Sequence, residues 1–257
     1  MVQHAVRTGL GIDIGGSGIK GAPVNLDTGE FLVERVKIAT PQPATPEAVA
    51  EVVAEIAAHF PHHVDADCPL GVTFPAVIQH GVARSAANVD PSWVGTNVEH
   101  LLAKATGRRV YVVNDADAAA VAEHRYGAAA GTEGVVLLTT LGTGIGTALL
   151  LDGRLVPNTE FGHLEIDGHD AETRAASSAK EREDLSYQQW AEERLQRYYS
   201  VVEDLLWPDL IVVGGGVSRK ADKFLPHLHL RAPIVAAQLR NTAGIVGAAV
   251  LAAEQLG

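Results

Sequence analysis

Leu10–Ala22 reads LGIDIGGSGIKGA, and the fold turns on how this stretch is read. Leu10, Ile12 and Ile14 alternate with small or polar residues, which predicts a strand over Gly9–Ile14. Ile19, Ala22 and Val24 predict a returning strand over Ile19–Asn25. Between them, Gly15, Gly16 and Gly18 are expected to let the turn take backbone angles closed to other residues, leaving N–H groups to face an anion. Ser17 adds a hydroxyl, Lys20 a charge, and Asp13 a carboxylate at the strand's end. A carboxylate beside a phosphate cradle is repelled unless a cation lies between, so Asp13 implies Mg²⁺ held through water. The competing reading is an ordinary glycine-rich hairpin with a solvated Asp. A dinucleotide fingerprint is excluded, because the GxGxxG spacing is missing and a strand follows where a helix should.

The same plan recurs downstream. Gly134–Leu141 reads as a strand, Leu141–Gly146 (LGTGIG) as a glycine-rich turn, and Ile145–Leu151 as the return, with Asp152-Gly153 turning into Arg154–Val156. Two such hairpins facing one another would clamp a phosphate chain, and their likeness suggests duplicated lobes. A third seat is Gly214–Ser218 (GGGVS), where the strand Asp209–Val213 runs into a helix start and offers bare N–H groups from Gly214, Gly215 and Gly216. A packing turn is the alternative there.

Around these units the remaining elements fall into an α/β pattern. Phe31–Ile38 reads as a third strand, and Thr45 caps an amphipathic helix over Pro46–Phe60. Leu70–Phe74 and Arg109–Val113 are buried-type strands; Ile78–Arg84 is extended, and Asn97–Thr106 and Ala116–Tyr126 are helices. Asp170–Asp184 and Ser186–Leu206 are charged helical stretches. The second carries an apolar stripe (Trp190, Leu195, Tyr198, Tyr199, Val202, Leu206) that suits either the core or a subunit contact. Thr242–Gln255 is an apolar helix expected to pack back. The expected domains are a small α/β lobe over 1–113, joined by helix 242–257, and a large lobe over 114–241.

Composition narrows the function classes. With 257 residues, 47% apolar and 20% charged, the chain can bury a substantial core. Its single cysteine, Cys68, excludes an internal disulfide and suits a reducing cytoplasm. No apolar run is long enough to span a membrane, and Met1–Arg7 lacks a signal-peptide core. A net charge of −11 argues against nucleic-acid binding, and it requires any polyanionic substrate to meet a local basic patch. The candidates are Lys20, Lys104, Arg108, Arg109, Arg219, Lys220 and Lys223.

Two stretches carry chemistry. In Val112–Asp117 (VVNDAD) a strand delivers Asn114 and Asp115 to its C-terminal edge, where open α/β sheets bind ligands. An Asp there, facing phosphate cradles, could accept a proton from an attacking hydroxyl, while Asn114 braces it and bonds a sugar hydroxyl. Alternatively Asp115 caps the following helix. In Asn158–Glu172 (NTEFGHLEIDGHDAE), Glu160, His163 and Glu172 suit the vicinal hydroxyls of a sugar. Glu165 and Asp167 could be metal ligands instead, and without nearby cysteines a zinc site is not expected.

Taken together, DIGGSGIK at Asp13–Lys20, Asn114-Asp115, LGTGIG, ExGH at Glu160–His163 and GGGVS resemble a ROK-family sugar kinase. The resemblance implies the two-lobed actin/hexokinase-like (ribonuclease H-like) fold with an active-site cleft between the lobes. Many members carry a zinc-binding cysteine cluster after the GH pair, whereas GHLEIDGHDAETRA here continues without cysteine. That departure, with NVDPSWVGTN at Asn88–Asn97, is similar to the polyphosphate glucokinase branch and its glucomannokinases. The family's Pro-Gly after the sugar-side strand is Pro75-Ala76 here.

Roles follow from the resemblance. Asp115 would be the general base toward the sugar 6-hydroxyl. Asn88, Asn114, Glu160, His163 and Glu172 would bind the sugar. Gly15, Gly16, Ser17, Gly18, Lys20, Gly142, Thr143, Gly144 and Gly214–Gly216 would hold the donor, with Asp13 positioning Mg²⁺. The implied substrates are polyphosphate and ATP as donors, with glucose and then mannose as acceptors. A cytoplasmic homodimer that binds neither nucleic acid nor membrane is expected. A strictly ATP-dependent glucokinase is the alternative. The family's repressors carry an N-terminal DNA-binding region; with the first hairpin beginning by residue 10, a repressor is not the expected reading.

Overall fold

The computed structural model describes residues 6–86 and 89–257. It contains two compact units, one running to Ala118 and taking in Thr242–Gly257, the other covering Ala119–Asn241. Asn114 and Asp115 therefore lie in the first unit rather than opening the second.

The first unit is built on strands β1 (Thr8–Gly15), β2 (Gly18–Asn25), β3 (Val36–Ile38), β4 (Leu70–Phe74) and a later strand, Val110–Asn114. They form a five-stranded sheet in the spatial order β3, β2, β1, β4, Val110–Asn114. β1 and β2 pair antiparallel, whereas β4 lies parallel to both β1 and Val110–Asn114. Leu10, Ile12, Ile19, Leu70, Val72 and Phe74 are fully buried along these strands. Helix α1 (Pro46–Ala58) starts at Thr45, whose hydroxyl accepts from the Ala48 N–H at 3.4 Å, with Pro46 at its first position. Helix α2 (Val98–Thr106) is capped by Asn97 and closed by left-handed Gly107.

The C-terminal helix (Ala243–Leu256) lies on the same sheet. A Cβ at Gly11 or Gly71 would collide with the backbone carbonyl of Ile245 or Ala248, so two glycines admit the helix.

Two expected strands change form. Of Phe31–Ile38 only Val36–Ile38 joins the sheet, Phe31 making an isolated bridge to Val24. Pro23 in the partner strand has no N–H to donate, so the ladder with β3 ends at Gly21↔Val36. The extended stretch Ile78–Arg84 is a small hairpin, β5 (Ile78–Gln79) with β6 (Val82–Ala83). His80 and Gly81 both have positive φ and turn the chain. Val110–Asn114 is β7, and helix α3 (Asp115–Tyr126) follows it directly.

The second unit repeats the topology. Strands β8 (Val135–Leu141), β9 (Ile145–Leu151) and β10 (Arg154–Val156) form the antiparallel part. After the short pair β11 (Glu165–Ile166) and β12 (His169–Asp170), the strands β13 (Leu210–Gly214) and β14 (Ile234–Ala236) extend the sheet in parallel. The spatial order is β10, β9, β8, β13, β14, matching the first sheet strand for strand.

The charged stretch after Ala171 is broken. Asp170 belongs to β12, α4 (Glu172–Ala175) ends at extended Ala176, and α5 (Ser177–Arg182) restarts. Ser186 closes a capping box with Gln189 to start α6 (Tyr187–Trp190), and a π-helical turn over Ala191–Leu195 leads into α7 (Gln196–Leu206). Trp190, Leu195, Tyr198, Tyr199 and Val202 are fully buried, so these five are core, while Leu206 at the helix end is half-buried. The helix that opens at the Gly214–Gly216 turn is 3₁₀-helical over Gly216–Lys223, with a kink at Lys220. Among the described residues no helix is long and apolar enough to cross a membrane.

Candidate active site

In the first unit, pairing register builds the charged end of the hairpin. Asp13 faces Lys20 in β2 and Thr73 in β4 as direct cross-strand partners. Its Oδ1 accepts from the Thr73 hydroxyl at 2.7 Å, and its Oδ2 lies 3.5 Å from Lys20 Nζ. Lys20 thus lies beside Asp13 in an ion pair at the end of the hairpin. Both side chains stay about a quarter exposed (23% each), and among the described residues only the long Lys20 contact engages Oδ2. That oxygen can still meet a hydrated Mg²⁺, an ion commonly held by one or two carboxylates plus phosphates and water.

The turn itself departs from expectation. None of Gly15, Gly16 and Gly18 has a φ in the left-handed region. At Gly18 the Lys37 side chain crosses over the turn, 2.6 Å from an added Cβ, and would have to move for any larger residue. At Gly16, by contrast, an added Cβ meets nothing within 4 Å. Gly16 and Ser17 form the exposed tip, and the Thr40 hydroxyl donates to the Gly15 carbonyl. With that carbonyl tied back, the tip's N–H groups are approachable by an anion. Beside it lies a cavity of about 280 Å³ bounded by Gly15, Gly16, Thr40, Phe74, Asp90 and Trp93 among others.

At the end of β7, Asn114 is the helix cap. Its Oδ1 accepts from the N–H groups of Ala116 (2.8 Å) and Asp117 (3.4 Å), and its Nδ2 donates to the Ala76 carbonyl at 3.2 Å. Asp115 is relieved of the capping role and leaves its carboxylate exposed on the first helical turn, one oxygen accepting from Ala116 N–H at 3.0 Å. Asn88 lies outside the described residues.

In the second unit, the turn Gly142–Thr143–Gly144 is held from α5. Ser177 Oγ donates to the Gly142 carbonyl at 3.0 Å, and Ser178 Oγ to the Thr143 carbonyl at 2.6 Å. Glu172 reaches the same turn, accepting from Ile145 N–H at 2.9 Å, and its carboxylate fills the space a Cβ on Gly144 would need. Gly215, with φ 79°, packs where a side chain would strike the backbone of Leu141, so the Gly214–Gly216 turn abuts Gly142–Gly144.

Thr147 in β9 donates to the Thr159 carbonyl (2.6 Å) and accepts from Phe161 N–H (3.1 Å), fixing the loop that carries Glu160 and His163. Gly162 crosses β9 so closely that a Cβ would meet the Ile145 carbonyl. His163 Nε2 lies 4.0 Å from Glu160, and its Nδ1 is 2.9 Å from Asp170. Partial burial pushes the Glu160 carboxyl above its ordinary value, with His163 pulling it down and Glu172 pushing it up. The hydrogen bond to Asp170 holds His163 above its usual range. Glu160 and Glu172 thus both lie close to His163. Asp167, a metal candidate in the sequence, is instead bound by Arg197 at 2.9 and 2.7 Å.

Several basic candidates also have structural work. Arg108 donates to the carbonyls of Asp65, Ala66 and Cys68, and Arg109 to those of Leu256 and Asp67. Lys180 Nζ and Lys223 Nζ lie 4.4 and 5.6 Å from the centre of the Tyr187 ring. Lys180 was not picked out from the sequence, and neither were Ser177, Ser178, Thr73 or Asp170. For Asp170 a signal existed: Asp167-Gly168, both with positive φ, is the dipeptide of a tight hairpin that folds Asp170 back onto His163.

Two sheets of one topology, each with a glycine-rich turn on its first hairpin, define a fold of the actin/hexokinase-like class. A model of the ROK family matches residues 9–176, and the chain belongs to that family. It is 55% identical to the polyphosphate glucokinase of Mycobacterium tuberculosis over 95% of this chain and 91% of the relative. The structure is similar to the inorganic polyphosphate/ATP-glucomannokinase of Arthrobacter sp. strain KM, with a TM-score of 0.90 and 58% identity. That match covers 96% of this chain and 99% of that one. A ROK family glucokinase from Streptomyces griseus shares the fold at a TM-score of 0.79 and 24% identity, over 96% of this chain and 100% of its own.

Proposed function

We propose that this chain transfers a phosphoryl group from inorganic polyphosphate, and also from ATP, to the 6-hydroxyl of glucose. The observation that carries this reading is the exposed Asp115 carboxylate at the C-terminal end of β7, in the parallel part of the sheet, with Asn114 taking the helix cap. Likeness to the mycobacterial polyphosphate glucokinase and to the Arthrobacter glucomannokinase supports the donor and acceptor classes.

Glu160, His163 and Glu172 hold the sugar hydroxyls, with Asn114 and Asn88 completing the set. Asp115 takes the proton of the 6-hydroxyl as its oxygen attacks the terminal phosphorus. The phosphoanhydride bond breaks, and the donor leaves shortened by one phosphate. N–H groups of the Gly15–Gly18 and Gly142–Gly144 turns, with Gly214–Gly216, orient the donor phosphates. Mg²⁺ on Asp13 would neutralise phosphate charge. Little covalent chemistry is asked of the protein, so alignment and charge neutralisation supply most of the acceleration. For polyphosphate, Lys180 and Lys223, on the two elements that brace the second turn, offer positive charge against the overall −11. Mannose as a second acceptor, a homodimeric assembly and a cytoplasmic location belong to the same proposal and rest on the family resemblance.

Glucose 6-phosphate formation with Mg²⁺ and either donor, measured beside Asp115→Ala, tests it. The substitution is expected to lower turnover by about 10²–10⁴, the usual range for a general base. Turnover with ATP alone would discard polyphosphate as donor, and full activity in Asp115→Ala would overturn the assignment of the base.

A further inference from the structure

One carboxylate beside the sugar ligands has no task in the mechanism above. Asp170 sits in β12, folded back by the Asp167-Gly168 turn. Its Oδ2 is 2.9 Å from His163 Nδ1, while its Oδ1 accepts from the Glu172 backbone N–H at 3.2 Å. The Thr173 hydroxyl donates to its carbonyl at 2.6 Å and pins the residue from the other side. A single side chain thus touches both His163 and the first residue of α4, which carries Glu172 to the glycine-rich turn.

A neutral imidazole donates from one nitrogen and accepts at the other, and the partner of the first decides the role of the second. A carboxylate can only accept, so Asp170 makes Nδ1 the donor. Nε2, on the Glu160 side, is left to accept from a sugar hydroxyl in the neutral ring or to donate in the charged one.

We propose that Asp170 is a positioning residue for sugar binding, fixing the tautomer and ring orientation of His163 and the start of the turn that presents Glu172. The inference rests on the sugar-site reading above. The groups facing His163 are Asp170, Glu172 and Glu160, all carboxylates that favour the charged ring, with partial burial opposing them.

The ligand atoms of His163, Asp170 and Glu172 also lie within 4.8 Å of one another, close enough for a metal ion. The test separates that case.

Steady-state kinetics of Asp170→Asn, Asp170→Glu and His163→Ala would be run with glucose and with donor varied. ¹⁵N spectra of the histidine rings would be recorded on wild type and Asp170→Asn. An Asn can present its amide N–H to Nδ1, so it should shift the ring toward the Nε2–H tautomer. Glucose KM should rise about tenfold or more, as for loss of a hydrogen bond to a charged group, with donor KM unchanged. Asp170→Glu should recover part of the loss. The His163 titration should move to lower pH in Asp170→Asn.

An unchanged tautomer and glucose KM in Asp170→Asn, with His163→Ala impaired, would overturn the inference while leaving the sugar site standing. A silent His163→Ala would instead discard the sugar site. Glucose affinity that follows added Zn²⁺ in wild type and is lost in Asp170→Asn would overturn positioning in favour of a metal site. If Asp170→Asn fails to fold, the Asp170→Glu spectrum and KM decide the matter: a lost Nδ1–H signal with normal glucose KM refutes it.

Discussion

The two glycine-rich turns close hairpins of the same topology, yet they are held and charged differently. In the first, the pair two steps before the turn is Asp13↔Lys20, with Thr73 alongside. In the second, the corresponding pair is Thr139↔Thr147, with Val213 alongside. Thr139 is fully buried and bonds the Tyr199 hydroxyl at 2.7 Å. One hairpin carries ions at its end, the other only hydroxyls turned into the core. The second turn takes its polar environment from elsewhere: Ser177, Ser178 and Glu172, about thirty residues downstream. The first turn is thus braced by a charged pair across the sheet, and the second by hydroxyls and a carboxylate from the segment that runs from α4 into α5.

The strongest way to break this comparison is to exchange the chemistry at the matching positions. Asp13→Asn should raise the Mg²⁺ concentration needed for half-maximal turnover and cut turnover by roughly 10²–10³, the scale for losing one charge-stabilising group. Thr139→Val should leave turnover near wild type, while stranding the Tyr199 hydroxyl costs about 1–3 kcal/mol in denaturant unfolding. Equal kinetic damage from both would mean the hairpins are not specialised.

A smaller effect sharpens the contrast at the tips. Gly144→Ala forces its methyl against the Glu172 carboxylate, whereas Gly16→Ala meets open space. Glucose KM is expected to rise about tenfold for the first, through displacement of a charge-assisted bond. The second should affect donor KM alone. A glucose defect in Gly16→Ala matching that of Gly144→Ala would erase the distinction.

The smallest effect is a pH dependence confined to the second unit. Asp170 raises the folded-state pKa of His163 above its ordinary 6.5, so the contribution to stability is fully present below about that pH. It is lost as pH rises through the elevated folded value. The melting-temperature gap between wild type and Asp170→Asn should be widest in mild acid and narrow toward alkaline pH. A gap independent of pH would show that the bond does not involve the charged ring.

Both hairpins, the positions of their turns and the helix α1 with its Thr45 cap were legible because alternation, glycine pairs and capping residues act within a few positions, while the backbone angles of the first turn were not. Asn114-Asp115 was legible as a strand-end pair, but which residue caps the helix was not. That depended on Asn114 also reaching the Ala76 carbonyl, thirty-eight residues away in sequence. The break at Ala176 escaped the periodic reading, since the helical pattern runs through it while the Ser177 and Ser178 contacts to the turn require an extended residue there. Arg108 and Arg109 looked like groove cations only because charge is visible in a sequence and carbonyl partners are not.

By itself the amino-acid sequence determined the repeated strand–turn–strand units, the exposed or buried character of most faces, and the residue types able to bind phosphate and sugar. These follow from local sterics and hydrophobic periodicity, which operate over one or two turns of chain. The tertiary structure decided what each polar side chain holds: Asn114 caps the helix in place of Asp115, Asp13 pairs with Lys20 and Thr73, and Asp170 binds His163. Lys20 and Asp170 lie only seven residues from their partners. The bonds that fix the set, Thr73 to Asp13 and Asn114 to the Ala76 carbonyl, span sixty and thirty-eight residues and exist only once packing has brought their ends within about 3 Å.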